Sequence, residues 1–462
     1  MSLADRLRGV VRVEPAKAGP HDNPAGPHEN ERPQDHPNGR GGRLQPAHPD
    51  AAETLGGEWS AAGGHRFLVI DRKYAPGHRL GRVAVADCLP ADDGLWPRLW
   101  LLAGAEAPAL QEKLGDPALQ ANAPTRLLFV DLETTGLAGG AGTCAFLVGC
   151  GWFEGASFCI RQFFLAGPGA ERAMLDAVAE VAATAGGVVT YNGKSFDLPL
   201  IETRFLFHRM ETPFAGMPHV DMLHPARRLW RPERDDAGAP ACRLSTLEEA
   251  LLGHVREDDV PGFEIPSRYF QYVRTSDARP LHAVMEHNRL DLLALAMITA
   301  QAAQLLEEGP AAARTAREAL GLGRLYERGG LIAEARASYA QAAGLTHEPA
   351  QAGHHVDAGT RAEALQAYAV LSRRERRYED AAAAWRRAIE LRPCPAHIAR
   401  EAAEALAVHH EHRARDLQAA RRFALKTLQF NVSVARTQAV QHRLARLDRK
   451  LSVPTAESAQ LF

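Results

Sequence analysis

Four carboxylates, at three places far apart in the chain, are the residues best suited to joint chemistry. Asp131 and Glu133 close an apolar run, Asp197 ends the stretch Tyr191-Asn-Gly-Lys-Ser-Phe-Asp197, and Asp291 ends His287-Asn-Arg-Leu-Asp291. Each follows or sits in a segment whose composition predicts burial. A lone carboxylate there is costly unless it is paired or bound to a cation. Four such oxygen donors on one pocket would hold two hard divalent cations, an arrangement that hydrolyses phosphodiesters.

Each residue also has a plainer reading. Asp131 and Glu133 stand two apart at the end of a strand, so their side chains share a face. The turn Thr134-Thr135-Gly136 leaves them at the strand's carboxyl end, where open α/β sheets bind ligands. Asp-x-Glu alone reads first as a pair of surface acids; the apolar run before it and the Thr-Thr-Gly after it make it more specific. Asp197 falls just inside a helix, where a negative charge also suits the N-terminus. Asp291 lies among Leu290, Leu292, Leu293 and Leu295, a setting that metal coordination explains better than structure alone. His287 is one helical turn earlier on the same face, and an imidazole there can take a proton from an attacking water near neutral pH.

Weaker signals surround these. Gly193-Lys194-Ser195 looks like the end of a phosphate-binding loop, but the glycine required at position 188 is Val188, which excludes that reading. Lys194 faces either substrate phosphate or solvent. Asp221 reads first as a turn or cap residue and second as a supporting acid. Arg227, Arg228, Arg231 and Arg234 around Trp230 suit a single-stranded nucleic acid or an ordinary solvated face.

The elements that must position the acids can be read from apolar patterning. Leu127 to Val130 is a continuous apolar strand, as in a sheet covered on both faces. Cys144 to Val148 and Cys159 to Leu165 follow at hairpin spacing. A helix over about 170–185, a strand at Gly187–Tyr191 and a helix over 195–209 come next. Ser245-Thr-Leu-Glu248 reads as a capping box, and a long helix spans about 280–307. This order predicts an α/β domain with a mixed central sheet flanked by helices, over residues 121–308. Residues 58–120 read as a small β-rich lead-in and 1–57, rich in Pro, Gly, His and Asn, as a disordered tail. Beyond 309 the chain is helical and repeats itself. Leu322, Gly323, Tyr326, Ala335, Tyr339 and Ala342 fall at tetratricopeptide offsets, and the pattern returns from Ala381 to Pro393. The all-α repeats are expected over 309–445, interrupted by an insertion at 344–358, and a tail over 446–462.

The 462 residues are 46% hydrophobic and 24% charged, with a net charge of −2, so no global basic footprint marks a nucleic-acid binder. A local basic groove is compatible with that balance. Six cysteines without a Cys-x-x-Cys pair predict neither zinc site nor disulfide framework, but small buried side chains in a reducing compartment. The start lacks a signal-peptide core, and no run reads as long and apolar enough to span a membrane. The expectation is a cytoplasmic protein with no membrane partner.

Taken together, Asp131-Leu-Glu133-Thr134-Thr135-Gly136, Asn192 to Phe196-Asp197, and His287-x-x-x-Asp291 resemble the three exonuclease motifs of the DEDD superfamily, which has a ribonuclease-H-like fold. The chain is most similar to the YprB-like branch. That likeness is carried by Gly139-Gly140-Ala-Gly142-Thr143, Tyr191 to Pro199, Leu223 to Trp230 and Cys242 to Glu248, and covers roughly residues 60–305. The resemblance implies two Mg²⁺ or Mn²⁺ ions held by Asp131, Glu133, Asp197 and Asp291, and release of nucleotides from the 3′ end of single-stranded DNA or RNA. It also implies that the backbone around Thr134 contacts the terminal sugar and Leu137 wedges against the last base. Asn192 and Phe196 would support the second motif. In the superfamily the third motif carries Tyr four residues, or His five residues, before the last Asp; here His stands at the Tyr spacing. Helical repeats would bind a protein partner. A non-catalytic scaffold and a structure-specific endonuclease are the alternatives.

Overall fold

The computed structural model describes residues 50–62, 65–89, 95–104, 126–136, 142–231, 242–346, 357–430 and 434–452. Its centre is one mixed sheet. The strands are β1 (Glu58–Ala62), β2 (His65–Tyr74), β3 (Leu127–Thr134), β4 (Ala145–Glu154), β5 (Ser157–Phe164), β6 (Gly187–Thr190) and β7 (His219–Asp221). They lie in the order β1-β2-β5-β4-β3-β6-β7. The first five pair antiparallel, and β3, β6 and β7 are mutually parallel. The carboxyl ends of β3, β6 and β7 therefore share one edge, the usual ligand-binding edge of such sheets.

Near-continuous apolar runs in β4 and β5 demand cover on both faces. Leu128, Val130, Phe146, Val148 and Phe164 face one layer, which contains α1 (Glu171–Ala182), α2 (Asp197–Phe207) and α4 (Ile265–Thr275). Phe129, Phe158, Val189 and Val220 face the other, with α3 (Leu223–Leu229) and most of α5 (His282–Glu308). Helix α5 changes layer along its length. Val284 and Met285 pack in the first layer, and Leu290, Leu292 and Leu293 in the second. The change-over falls at His287 and Asn288.

The structure corrects several expectations. β1 and β2 are not a separate lead-in: β2 pairs with β5 from Leu68↔Phe164 to Tyr74↔Phe158, so the main sheet crosses the expected boundary. Strand pairing between residues more than eighty apart leaves no local pattern to read. Within the expected N-terminal tail, Ala51–Leu55 is helical, buries Ala51 and Leu55, and is capped by Asp50, which also accepts from Trp59 Nε1 at 2.9 Å. Together with the preceding turn, α5 (279–308) is long and apolar enough to cross a membrane by length and composition, contrary to the sequence reading. Its apolar stretch is 72% buried, as a core helix must be.

The carboxyl-terminal region is helical: α6 (Ala316–Arg328), α7 (Ile332–Ala342), α8 (Ala358–Arg374), α9 (Tyr378–Glu390), α10 (Ala396–His412), α11 (Leu417–Thr427) and α12 (Val434–Ser452). Successive helices pack on one another. Gly323 permits the closest approach, since a Cβ there would lie 2.4 Å from the Tyr339 ring. Helix α12 extends into the expected tail as far as Ser452 and buries Leu447 completely. Most of the expected insertion lies outside the described residues. All six cysteines are free.

Candidate active site

Asp131 and Glu133 close β3 on one face, opposite Gly149 and Leu147 of β4, with a bulge after Glu133. Glycine at 149 is a steric necessity: a Cβ would lie 2.3 Å from Asn288 Oδ1. Through that gap the fully buried Asn288 of α5 donates from Nδ2 to Asp131 Oδ2 (2.8 Å) and to the Asp131 carbonyl (3.1 Å). Gln162 of β5 completes the brace, donating from Nε2 to Asn288 Oδ1 (2.9 Å) and to the Met285 carbonyl (2.8 Å).

Asp197 is delivered by a tight turn. Asn192 has φ +67°, a left-handed conformation that asparagine tolerates better than most residues. A Cβ on Gly193 would come within 2.4 Å of Thr190 Oγ1. Buried Asp221, at the end of β7, holds the turn: its Oδ1 accepts from the backbone N–H of Asn192 (2.7 Å) and Leu223 (3.1 Å), and its Oδ2 from that of Lys194 (3.1 Å). Asp197 then opens α2. Asp221 thus takes the turn role that its sequence context favoured.

From α5 come His287 and Asp291. His287 Nε2 lies 3.6 Å from Asp291 Oδ2 and 4.0 Å from Glu133 Oε1, and its Nδ1 is 2.6 Å from Asp259 Oδ1. Asp291 Oδ1 accepts from Arg256 Nη2 at 2.5 Å. Arg256 also donates from Nε to Glu248 Oε2 (2.8 Å). The capping box expected at Ser245–Glu248 does not form: helix Leu244–Leu247 has no side-chain cap, and Glu248 is fully buried on Arg256 and His254. An internal cation outcompetes a helix N–H for that carboxylate.

These residues border a cavity of about 620 Å³ whose lining includes Asp131, Glu133, Thr134, Asn192, Phe196, Asp197 and His287, with walls from α2 and α4. Phe196 is 57% exposed at its mouth. Asp291 stands behind His287 and is not in the lining, and neither is the exposed Lys194. Leu137 lies outside the described residues. Trp230 donates from Nε1 to Glu318 of α6 at 2.9 Å, a structural partner that its sequence context did not suggest, and Arg234 lies outside the described residues.

Asp131, Glu133 and Asp197 keep some solvent contact at the cavity, yet protein surrounds them closely enough to shift their titration. Burial raises Asp131 well above the usual carboxylate range, and the charges of Asp291, Glu133 and Asp197 add to it. Burial likewise lifts Glu133 to about 8, with His287 opposing and Asp291 and Asp197 reinforcing. Asp197 rises to about 7 through burial and the charges of Asp221 and Asp291. Burial pulls His287 down, but the Asp259 hydrogen bond and the charges of Asp291 and Glu133 prevail and carry it to about 9. The four acids therefore share one field, which hard cations would relieve. They do not form a finished cage: among the described residues no group of three or more His, Cys, Asp or Glu side chains is placed to hold a metal ion. Arg256 on Asp291 and Asn288 on Asp131 occupy oxygens that a cation would use. The donor chemistry fits hard divalent ions; the coordination geometry is not assembled.

Sequence reasoning missed Asn288, Gln162, Gly149, Arg256 and Asp259. Only Asn288 carried a signal, its place beside His287 on a helix otherwise rich in leucine. Nothing local pairs Arg256 or Asp259 with α5.

Residues 128–303 match the family model described as RNase_H superfamily. The uncharacterized protein YprB of Bacillus subtilis (strain 168) is 39% identical over 171 residues, which are 37% of this chain and 40% of YprB. The chain thus matches less than half the length of that relative. A family B DNA polymerase from the hyperthermophilic archaeon Pyrobaculum calidifontis is similar over 46% of this chain and 29% of its own, with 14% identity and a TM-score of 0.32, a likeness too slight to bear argument. The sequence match and the mixed sheet flanked by helices lead to the same conclusion: residues 128–303 form a domain of the RNase H superfamily.

Proposed function

We propose that this protein is a metal-dependent nuclease that removes nucleotides from the 3′ end of single-stranded DNA or RNA. The observation that carries the reading is the shared field of Asp131, Glu133, Asp197 and Asp291 at one end of the sheet, with His287 between Glu133 and Asp291. Those four acids would hold two Mg²⁺ or Mn²⁺ ions, which when bound supply Lewis acidity to phosphodiester hydrolysis. His287 faces the cavity through Nε2 and is the candidate proton acceptor once the charge of bound cations offsets the carboxylates that otherwise keep it protonated up to about 9. Thr134, Asn192 and Phe196 border the cavity where a terminal nucleotide would sit; Phe196 offers a stacking face. Leu137 and Lys194 are further candidate contacts, to the last base and to phosphate. The carboxyl-terminal helices are read as tetratricopeptide-like repeats that bind a protein partner.

Asp131→Asn or Asp291→Asn should abolish Mn²⁺-dependent digestion of a 5′-labelled single-stranded oligonucleotide, which the wild type should shorten from its 3′ end. Undiminished digestion by either variant would sink the assignment. A circular single strand separates this reading from an endonuclease, which alone would cut it. One observation favours a non-catalytic scaffold: Arg256 already neutralises Asp291. Calorimetry decides, because a scaffold binds no Mn²⁺ in a carboxylate-dependent way.

A further inference from the structure

We propose that Arg256 and Asp259, from one loop after the helical turn Glu248–Leu252, are positioning residues that set the directions of Asp291 and His287. The proposal rests on the nuclease reading above and names the residues that aim its acid and its imidazole. A closed ring of contacts carries it. Arg256 Nη2 holds Asp291 Oδ1 at 2.5 Å, and Arg256 Nη1 lies 3.4 Å from Asp259 Oδ2. Asp259 Oδ1 holds His287 Nδ1 at 2.6 Å, and His287 Nε2 returns to Asp291 Oδ2 at 3.6 Å. The two targets are one turn apart on α5, and the two clamping residues are three apart on the loop, so a single approach of the loop orients both.

Stability alone explains this poorly. The Arg256 side chain is 4% exposed and Glu248 is wholly buried, so the cluster carries the desolvation cost that usually makes a buried ion pair no better than apolar packing. What the guanidinium provides is direction: its planar fork points separate N–H groups at Glu248, Asp259 and Asp291, which a lysine ammonium could not do at fixed angles. Glu248 anchors the guanidinium from behind. Asp259 acts on His287 in the same sense. A carboxylate accepts, so Nδ1 carries the hydrogen and Nε2 is turned toward Glu133 of the cavity lining and toward Asp291. A second partner on the far ring nitrogen is the usual means of fixing an imidazole.

The decisive experiment is a double-mutant cycle on the full chain, measured as kcat and KM for a single-stranded oligonucleotide with Mn²⁺. Asp259→Ala should lower kcat by roughly 10–100-fold with KM unchanged, and Asp259→Asn, which keeps an acceptor oxygen, should recover part of that loss. In a His287→Ala background Asp259→Ala should cost nothing further, because a residue acting only through His287 has nothing left to aim. Arg256→Lys should likewise lower kcat about tenfold at unchanged KM, since charge remains and the fork is lost. Independent, multiplying losses in the Asp259/His287 cycle would overturn the proposal, as would a wild-type kcat for Arg256→Lys or an effect confined to KM. If Asp259→Ala does not fold, the Asp259→Asn cycle decides on the same criteria. A wild type that digests nothing would instead defeat the nuclease reading. Proton NMR then tests the ring directly: a downfield, slowly exchanging His287 Nδ1–H should be present in wild type and lost in Asp259→Ala, and its absence from wild type would overturn the clamp.

Discussion

At the scale of single residues, the cavity acids are held in a state that disfavours their charge. Burial and mutual repulsion raise Glu133 to about 8 and Asp197 to about 7, from ordinary values of 4.5 and 3.8. A folded-state value above the unfolded one means that the folded chain keeps protons the unfolded chain has released. The contribution of these two acids to stability therefore falls as pH climbs from about 4.5 through about 8. Urea unfolding of the metal-free chain should show a lower midpoint at pH 8 than at pH 5. Glu133→Gln should remove part of that fall, and saturating Mn²⁺ should flatten it, because a cation substitutes for the missing protons. A midpoint that rises with pH over this window would contradict the shared field.

At the scale of elements, the sheet edge presents the acids and α5 braces them, while one buried carboxylate ties α12 to α10. The Glu411 side chain of α10 has no solvent exposure and accepts from Arg446 Nε and Nη2 of α12 at 2.8 Å each, and from Lys450 Nζ at 3.3 Å. The Arg446 hydrogen bonds, aided by Lys450, hold its carboxyl down at about 2. Here the sign is reversed. The contribution is complete above about 4.5, the ordinary value, and is lost as pH falls toward about 2. Glu411→Gln should let the backbone amides of α12 exchange roughly tenfold faster at neutral pH while those of α5 are unchanged. Equal protection of α12 in both proteins would show that its apolar contacts, such as Leu447, suffice.

At the scale of the whole molecule, the RNase H-like domain and the helical region share one core. A single apolar cluster runs from Phe129 and Leu292 through Leu320 and Tyr339 to Trp385 and Leu406. The junction is close: a Cβ on Gly321 of α6 would meet the Arg228 carbonyl oxygen at 2.5 Å, and Trp230 donates across it to Glu318. Gly321→Val should force α6 away from α3 and destabilise both regions together by about 1–3 kcal/mol. In calorimetry this should appear as one transition shifted down. Two transitions, with only the helical one moving, would show that the regions fold independently.

Local chemistry accounts for what could be read from the sequence alone. A continuous apolar run marked β3 because a doubly covered strand has no polar face, hairpin spacing marked β4 and β5, and apolar periodicity marked α5. The four acids and His287 stood out because their types are expensive in such surroundings. Other features required the tertiary structure. β2 joined the sheet through pairing with β5 more than eighty residues away, carrying β1 with it, which leaves no local trace. Glu248, legible as a helix cap, turned inward because Arg256 offered a buried cation. Asn288 reached Asp131 only because Gly149 lacks a side chain on the neighbouring strand. Residue types and spacing thus named the candidate chemistry. Which partner each charged group takes was decided by packing, since the energy of a buried carboxylate depends on the atoms around it and those come from distant parts of the chain.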